Sequence, residues 1–353
     1  AVTGVLTQVH HGAAKHRVEH RRHRDQEVIG KMQVGQVGKK IGACRALRGV
    51  VGGMWLALLG HGSHSSSIAR VDRSAVTLTG LLFNFCSRPL MTTYDRALVW
   101  FRRDLRCFDH AALHHALNSA RQVFCVFIFD KDILSPLLAH GSTDRRVAFI
   151  HASLQELDAE LKQHGGGLIV QHARASEAIP ALAQTLQVNA VFCNHDYEPY
   201  AEQRDRHVAQ ALAQQPCAFL SFKDQVIFEK EEVLSQAGKP FSVFTPYKNA
   251  WLKKFQSDLG VLDSALLPHF EVRPKRGQLV APAPAATMPT LNEMGFAEVD
   301  LAAHNLPTGM SGGQQLIDDF LPRLARYGQT RDFPAIKGPS YLSVHLRFGT
   351  VSI

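Results

Sequence analysis

The six cysteines include no C-x-x-C pair, and no apolar run approaches the ~20 residues needed to cross a bilayer. Scattered cysteines suit free thiols in a reducing compartment, so the expected location is the cytoplasm. The apolar patch Gly49 to Gly60 is too short and too rich in glycine for a membrane span. It also lies too far from the N-terminus for a signal peptide. The GQVGKK text at 35–40 fails as a phosphate loop, because Gln33 stands where the first glycine belongs and Lys40 where Ser or Thr belongs. No G-x-G-x-x-G follows the first strand, which disfavours an ordinary NAD-type dehydrogenase. His110, His114 and His115 lack a Cys or carboxylate set at ligand spacing; they are expected on a helix surface, with no metal. No Ser-His-Asp arrangement is legible in the text.

What is present is unevenly distributed. The 353 residues carry 39 Lys+Arg against 31 Asp+Glu, a formal charge of +8 that tempts one towards a nucleic-acid binder. Residues 1–90 hold 13 and 4 of these, leaving 26 and 27 for residues 91–353, so the segment from Met91 onward is net −1. Twelve of the 26 glycines also fall before residue 91. Neither a helical nor a strand period persists there, and residues 1–90 are expected to be a disordered or artefactual extension, with Met91 the natural start.

From Ala97 the pattern becomes regular. Short apolar runs at 97–101, 123–129, 167–171, 190–194 and 217–222 read as buried parallel strands. Helical text separates them at 111–120, 144–163, 176–186 and 200–213. Val147, Ile150, Leu154, Leu157 and Leu161 lie on one face of the second helix, with Ser142 or Thr143 as its expected cap. This alternation predicts an α/β domain at 91–222, a doubly wound five-stranded parallel sheet of Rossmann-like form. Three expected strand ends are polar: Arg102-Arg103-Asp104, Asp130-Lys131-Asp132 and Asn194-His195-Asp196. Arg102, Arg103 and Arg106 could meet phosphate or pair with Asp104 and Asp109, and the ion-pair reading is favoured.

Residues 223–310 read as an interdomain linker, with the Pro/Ala-rich stretch 272–289 extended. Helical spacing resumes with Leu316, Phe320, Leu324 and Tyr327, and Gly328 is the expected stop. A new helix is expected to begin at Ser340 to Ser343. Residues 311–353 are too few to bury a core of their own and are expected to be the truncated start of an all-α domain.

Four separated motifs, in order, resemble the DNA photolyase/cryptochrome family: LVWFRRDLR at 98–106, NHDYE at 194–198, SVFTPYKNAW at 242–251, and YGQTRDFP at 327–334 followed by GPSYLSVHLRFGTVS at 338–352. Together they are similar to class I cyclobutane pyrimidine dimer photolyases over Met91 to Ile353. The resemblance implies a lyase that repairs pyrimidine dimers in DNA with light, using reduced FAD and an antenna pigment, as a monomer off the membrane. It implies FAD contacts by Tyr327, Pro339, Ser340, Tyr341, Leu342, Ser343, Val344, His345 and Leu346. It further implies an antenna folate, 5,10-methenyltetrahydrofolate, held by Asn194 and Glu198 (8-hydroxy-5-deazaflavin being the alternative), and a DNA-facing Arg331. Pro339 departs from the family's usual Thr and offers neither hydroxyl nor N–H to a phosphate. Tyr341 stands where Arg is frequent. The fragment alone is expected to be inactive. A cryptochrome-type light receptor, or a stand-alone nucleotide-binding α/β module, remains an alternative.

Overall fold

A computed structural model describes residues 94–270, 274–275, 277–283 and 287–353; the extension expected at 1–90 lies outside the described residues. Five strands form the sheet: β1 (Tyr94–Phe101), β2 (Ala120–Asp130), β3 (Leu168–Ala173), β4 (Ala190–Asn194) and β5 (Ala218–Phe222). They lie in the order β3-β2-β1-β4-β5 and every pairing is parallel, with Val99 of β1 opposite Cys125 on one side and Phe192 on the other. The order reverses between β1 and β4, the switch point where such sheets leave a crevice at their carboxyl ends.

Period-two alternation divides the core. Ala97, Val99 and Phe101 face one layer with α1 (Ala111–Ser119) and α3 (Arg145–Gln163). Leu98 and Trp100 face the other with α4 (Ala175–Thr185) and α5 (Pro199–Leu212). Each large apolar side chain so buried contributes roughly 1.5–3 kcal/mol. The short α2 (Lys131–Leu138) between β2 and α3 has no counterpart among the expected elements. It starts because Asp130, ending β2, turns its carboxylate onto the Asp132 amide at 3.2 Å. The cap of α3 is Asp144, accepting from the Arg146 and Val147 amides at 2.8 and 3.3 Å, and not Ser142 or Thr143.

The segment 223–310 is more than a connection. It contains α6 (Phe244–Phe270), and beyond it Leu279, Leu291, Met294, Phe296 and Leu301 enter the α1/α3 core layer. Gln278 to Val280 bridge the start of β2 before β3 begins to pair: Val123 N–H donates to Gln278 at 2.8 Å, and Val280 N–H donates to Val123 at 3.0 Å. The buried Gln278 amide donates to the Leu117 and Ala120 carbonyls at 2.5 and 2.9 Å, satisfying the end of α1.

Residues 89–317 and 341–353 form one compact unit, and 318–340 belong to a second. In the first, α7 (Gly309–Phe320) begins on α3, where the Gly309 and Ser311 amides donate to Ser153 Oγ and Glu156 Oε1 at 3.1 and 2.9 Å. Gly328 does not stop a helix; it lies inside α8 (Tyr327–Thr330). The last helix, α9 (Ser343–Phe348), ends at Gly349 with φ 67°. A Cβ there would meet the backbone of Asp104 at 2.5 Å, so only glycine lets the chain pass this close to the loop after β1.

Candidate functional site

At the switch point, Asp104, His110 and Asn194 form a closed polar cluster beneath the carboxyl ends of β1 and β4. Asp104 Oδ1 accepts from the Arg102 amide at 2.6 Å, and its Oδ2 accepts from Asn194 Nδ2 at 2.7 Å. His110 caps α1, its Nδ1 accepting from the Leu113 amide at 3.0 Å, which leaves Nε2 as the donor facing Asp104 Oδ2 at 3.2 Å. Asn194 Oδ1 accepts from the Ala112 amide at 2.9 Å. Burial opposes ionisation of Asp104, but His110 and Arg102 outweigh it and hold the carboxyl down at about 2.

Around this cluster the arginines of the first strand end are ion-paired, as favoured from sequence, but with distant partners. Arg102 Nη1 meets Asp205 at 2.6 Å, Arg106 Nη2 meets Asp224 at 2.7 Å, and Arg103 Nη1 meets Asp196 at 3.0 Å. Arg102 and Arg204 both lie over the Trp100 ring, 4.7 and 4.8 Å from its centroid. His110 is wholly buried, not on the helix surface; His115 stacks on Phe222, and His114 contacts Asn118. Among the described residues no group of three or more His, Cys, Asp or Glu is placed to hold a metal ion. Cys107, Cys125, Cys193 and Cys217 are free thiols. An open cleft of about 560 Å³, lined by Lys131, Ser135, Arg174 and Glu177, lies beyond the ends of β2 and β3.

Of the two residues expected to meet an antenna pigment, Asn194 is buried with its side-chain amide engaged on both atoms. Glu198 is half exposed. Its carboxylate is held by Arg347 at 2.9 Å and Arg103 at 3.4 Å, and these arginines, Arg347 foremost, keep it below the usual carboxylate range. The pair Glu198–Arg347 ties the loop after β4 to α9.

The residues expected at FAD divide between the two units. In the smaller, Tyr327 is exposed, edge-on to Phe320, with the Arg331 guanidinium over its ring at 5.7 Å. The Pro339 carbonyl accepts from Arg323 at 3.1 Å, and Ser340 is half-buried. In the larger, Tyr341 is exposed at φ 58°, turning the chain into α9. Leu342 precedes the helix, and Ser343 and Leu346 face outward. Val344 packs on the core, and His345 is fully buried, edge-on to Phe149 with Nδ1 on Thr350 Oγ1 at 2.7 Å.

An all-parallel, doubly wound α/β domain with a helical segment docked at its switch point defines the class. The DNA photolyase family model matches residues 97–269. A deoxyribodipyrimidine photo-lyase of Synechococcus sp. is 32% identical over 257 residues, covering 72% of this chain and 51% of that protein. An uncharacterized 31.6 kDa protein of another Synechococcus strain is 31% identical over 266 residues, covering 74% of this chain and 87% of that protein. A bacterial class III photolyase structure from Agrobacterium tumefaciens superposes with a TM-score of 0.57 at 27% identity, over 73% of this chain and 51% of that one. The chain belongs to the DNA photolyase/cryptochrome family. It spans about half the length of the curated photolyases it matches.

Proposed function

We propose that this chain supplies the antenna domain and the entry to the flavin domain of a light-driven photolyase acting on cyclobutane pyrimidine dimers in DNA. The observation that carries the reading is the match between the ordered motif series and a parallel sheet whose switch-point loops anchor Tyr341–Ile353, as Leu105 N–H donating to the Phe348 carbonyl at 3.1 Å illustrates. FAD, when bound, supplies the electron that opens the dimer.

The chain's residues divide the work. Val344 and His345 hold α9 on the α/β core, so the side chains free to meet the flavin on this unit are Tyr341, Ser343 and Leu346. Tyr327 and Arg331 lie exposed on the smaller unit, available to cofactor and to a DNA phosphate. For the folate antenna, Glu198 is reachable, whereas Asn194 acts through the loop it fixes. The lesion is cheaper to flip out of the duplex than an intact base, which favours its selection.

Purified protein is tested with FAD, methenyltetrahydrofolate and a dimer-containing oligonucleotide under blue light. With about half of the relatives' length present, we expect substoichiometric FAD and no repair by this chain alone. Tight FAD binding with light-dependent repair would overturn the expectation of inactivity. Failure to repair by the native gene product that carries this sequence, whatever its length, would overturn the photolyase reading and favour a light receptor.

A further inference from the structure

The loop after β4 carries a second constellation that plays no part in the cluster at Asp104. His195 Nδ1 lies 2.8 Å from Glu229 Oε2, and His195 Nε2 lies 3.1 Å from Ser221 Oγ. A carboxylate only accepts, so Nδ1 carries the proton and Nε2 presents its lone pair to the serine hydroxyl. Tyr197 donates its hydroxyl to the same Glu229 oxygen at 2.7 Å. Burial alone would raise the Glu229 carboxyl, but bonds from Tyr197 and His195 keep it below its usual range and therefore ionised.

The fold places this chain where chemistry is favoured. Ser221 stands near the carboxyl end of β5, the edge strand, and is exposed. Ala218 N–H and the Phe222 carbonyl both bond towards β4, so the alternation of a parallel ladder directs the Ser221 amide away from β4, out from the free edge. A nucleophile's own N–H beside its hydroxyl is a donor available to a developing oxyanion. Glu229 is fixed by the capping box of the short 3-10 helix Lys230–Glu232, whose Glu232 also pairs with Lys223 at 2.8 Å.

We propose that Ser221, His195 and Glu229 form an acyl-transfer site that cleaves small carboxylic esters. Ser221 Oγ attacks the ester carbonyl as its proton passes to His195 Nε2. The carbon–oxygen bond to the alcohol breaks, and the leaving oxygen takes that proton. Water, deprotonated by His195, then attacks the acyl-serine and releases the carboxylic acid, restoring Ser221. Glu229 is a positioning residue, fixing the imidazole tautomer and stabilising the imidazolium. The open setting of Ser221 suits short acyl groups with good leaving groups. His195 faces Ser221 and Glu229 directly; Glu229 lies with Lys230 on the segment after β5, where Lys223 is paired with Glu232.

The test is hydrolysis of p-nitrophenyl acetate by the full chain, with adduct mapping by mass spectrometry after treatment with a fluorophosphonate. The expected result is one adduct, on Ser221, formed in the unmutated protein. Ser221→Ala should abolish turnover, and His195→Gln should lower it by ~100-fold or more. Glu229→Ala should lower kcat with little change in KM, and Glu229→Asp, which restores a carboxylate acceptor for His195 Nδ1, should recover much of the rate; a merely structural role would not give that split or that rescue. Turnover unchanged in Ser221→Ala, or an adduct scattered over other residues, overturns the proposal, and so does a rate that depends on His195 alone. The mapping on unmutated protein decides the matter even if a variant fails to fold. None of these readouts involves light or flavin, so failure here leaves the photolyase reading untouched.

Discussion

Replacing Asp104 by Asn keeps the side-chain shape and removes the charge on which the switch-point cluster depends. Three donors converge on the carboxylate: the Arg102 amide, Asn194 Nδ2 and His110 Nε2. An amide in its place must turn its NH₂ towards at least one of them, leaving two donors face to face in a site without solvent. An unsatisfied buried donor costs ~1–3 kcal/mol, and breaking a buried charged pair ~3–5 kcal/mol. The expected loss is therefore about 2–4 kcal/mol, read as a lower midpoint at unchanged slope in urea unfolding. The pH dependence supplies an internal check. The folded carboxyl is depressed from 3.8 to about 2, so its stabilisation is present above pH ~4 and is lost as pH falls through about 2. That shift corresponds to about 2 kcal/mol. The gap between the parent and Asp104→Asn should narrow by about that amount across this window. A loss under ~0.5 kcal/mol at pH 7, or a gap that does not change with pH, would refute the reasoning.

Arg106→Met should cost about 3–5 kcal/mol, because Asp224 would keep its charge in a buried place with its cation gone; parallel urea titrations measure it, and restoration by a second Asp224→Asn change should follow. Gly349→Ala should lower the thermal midpoint, since the added Cβ meets the Asp104 backbone and the residue must also hold a left-handed φ, together at least ~1–2 kcal/mol; calorimetry showing no change would remove the close approach of α9 from the argument.

The sheet was legible because burial on both faces leaves a simple trace. β4 matches its expected bounds, and the other four strands differ from expectation by one to three residues at their ends. Side-chain partnerships left no such trace. The arginines at 102, 103 and 106 read correctly as ion-paired, yet their acids lie at 205, 196 and 224, not at the adjacent 104 and 109. His110 read as a surface residue because its neighbours, His114 and His115, suggested a helix face; its position before the helix makes it a cap. The long α6 and the core residues beyond it escape a sequence reading in which 223–310 is one connection. Leu279 sits in Pro/Ala-rich text that argues for extension, and Leu291, Met294, Phe296 and Leu301 dock through long-range contacts that local text does not show. Ser221, His195 and Glu229 carry no spacing signal, because strand order alone brings β4, β5 and the following loop together.

Period and composition by themselves determined the α/β class, the strand positions and the confinement of the net positive excess to the first ninety residues, while the family came from the resemblance of a series of short motifs. These are properties of local text: apolar alternation follows from the pleat, and motifs survive as short strings. Tertiary structure alone decided that Asn194 is an internal strut, that His345 faces the core, and that a serine, a histidine and a glutamate meet at the edge of β5. Those outcomes depend on which strands neighbour one another and on which polar groups must be satisfied once water is excluded, and neither is encoded within reach of any one segment.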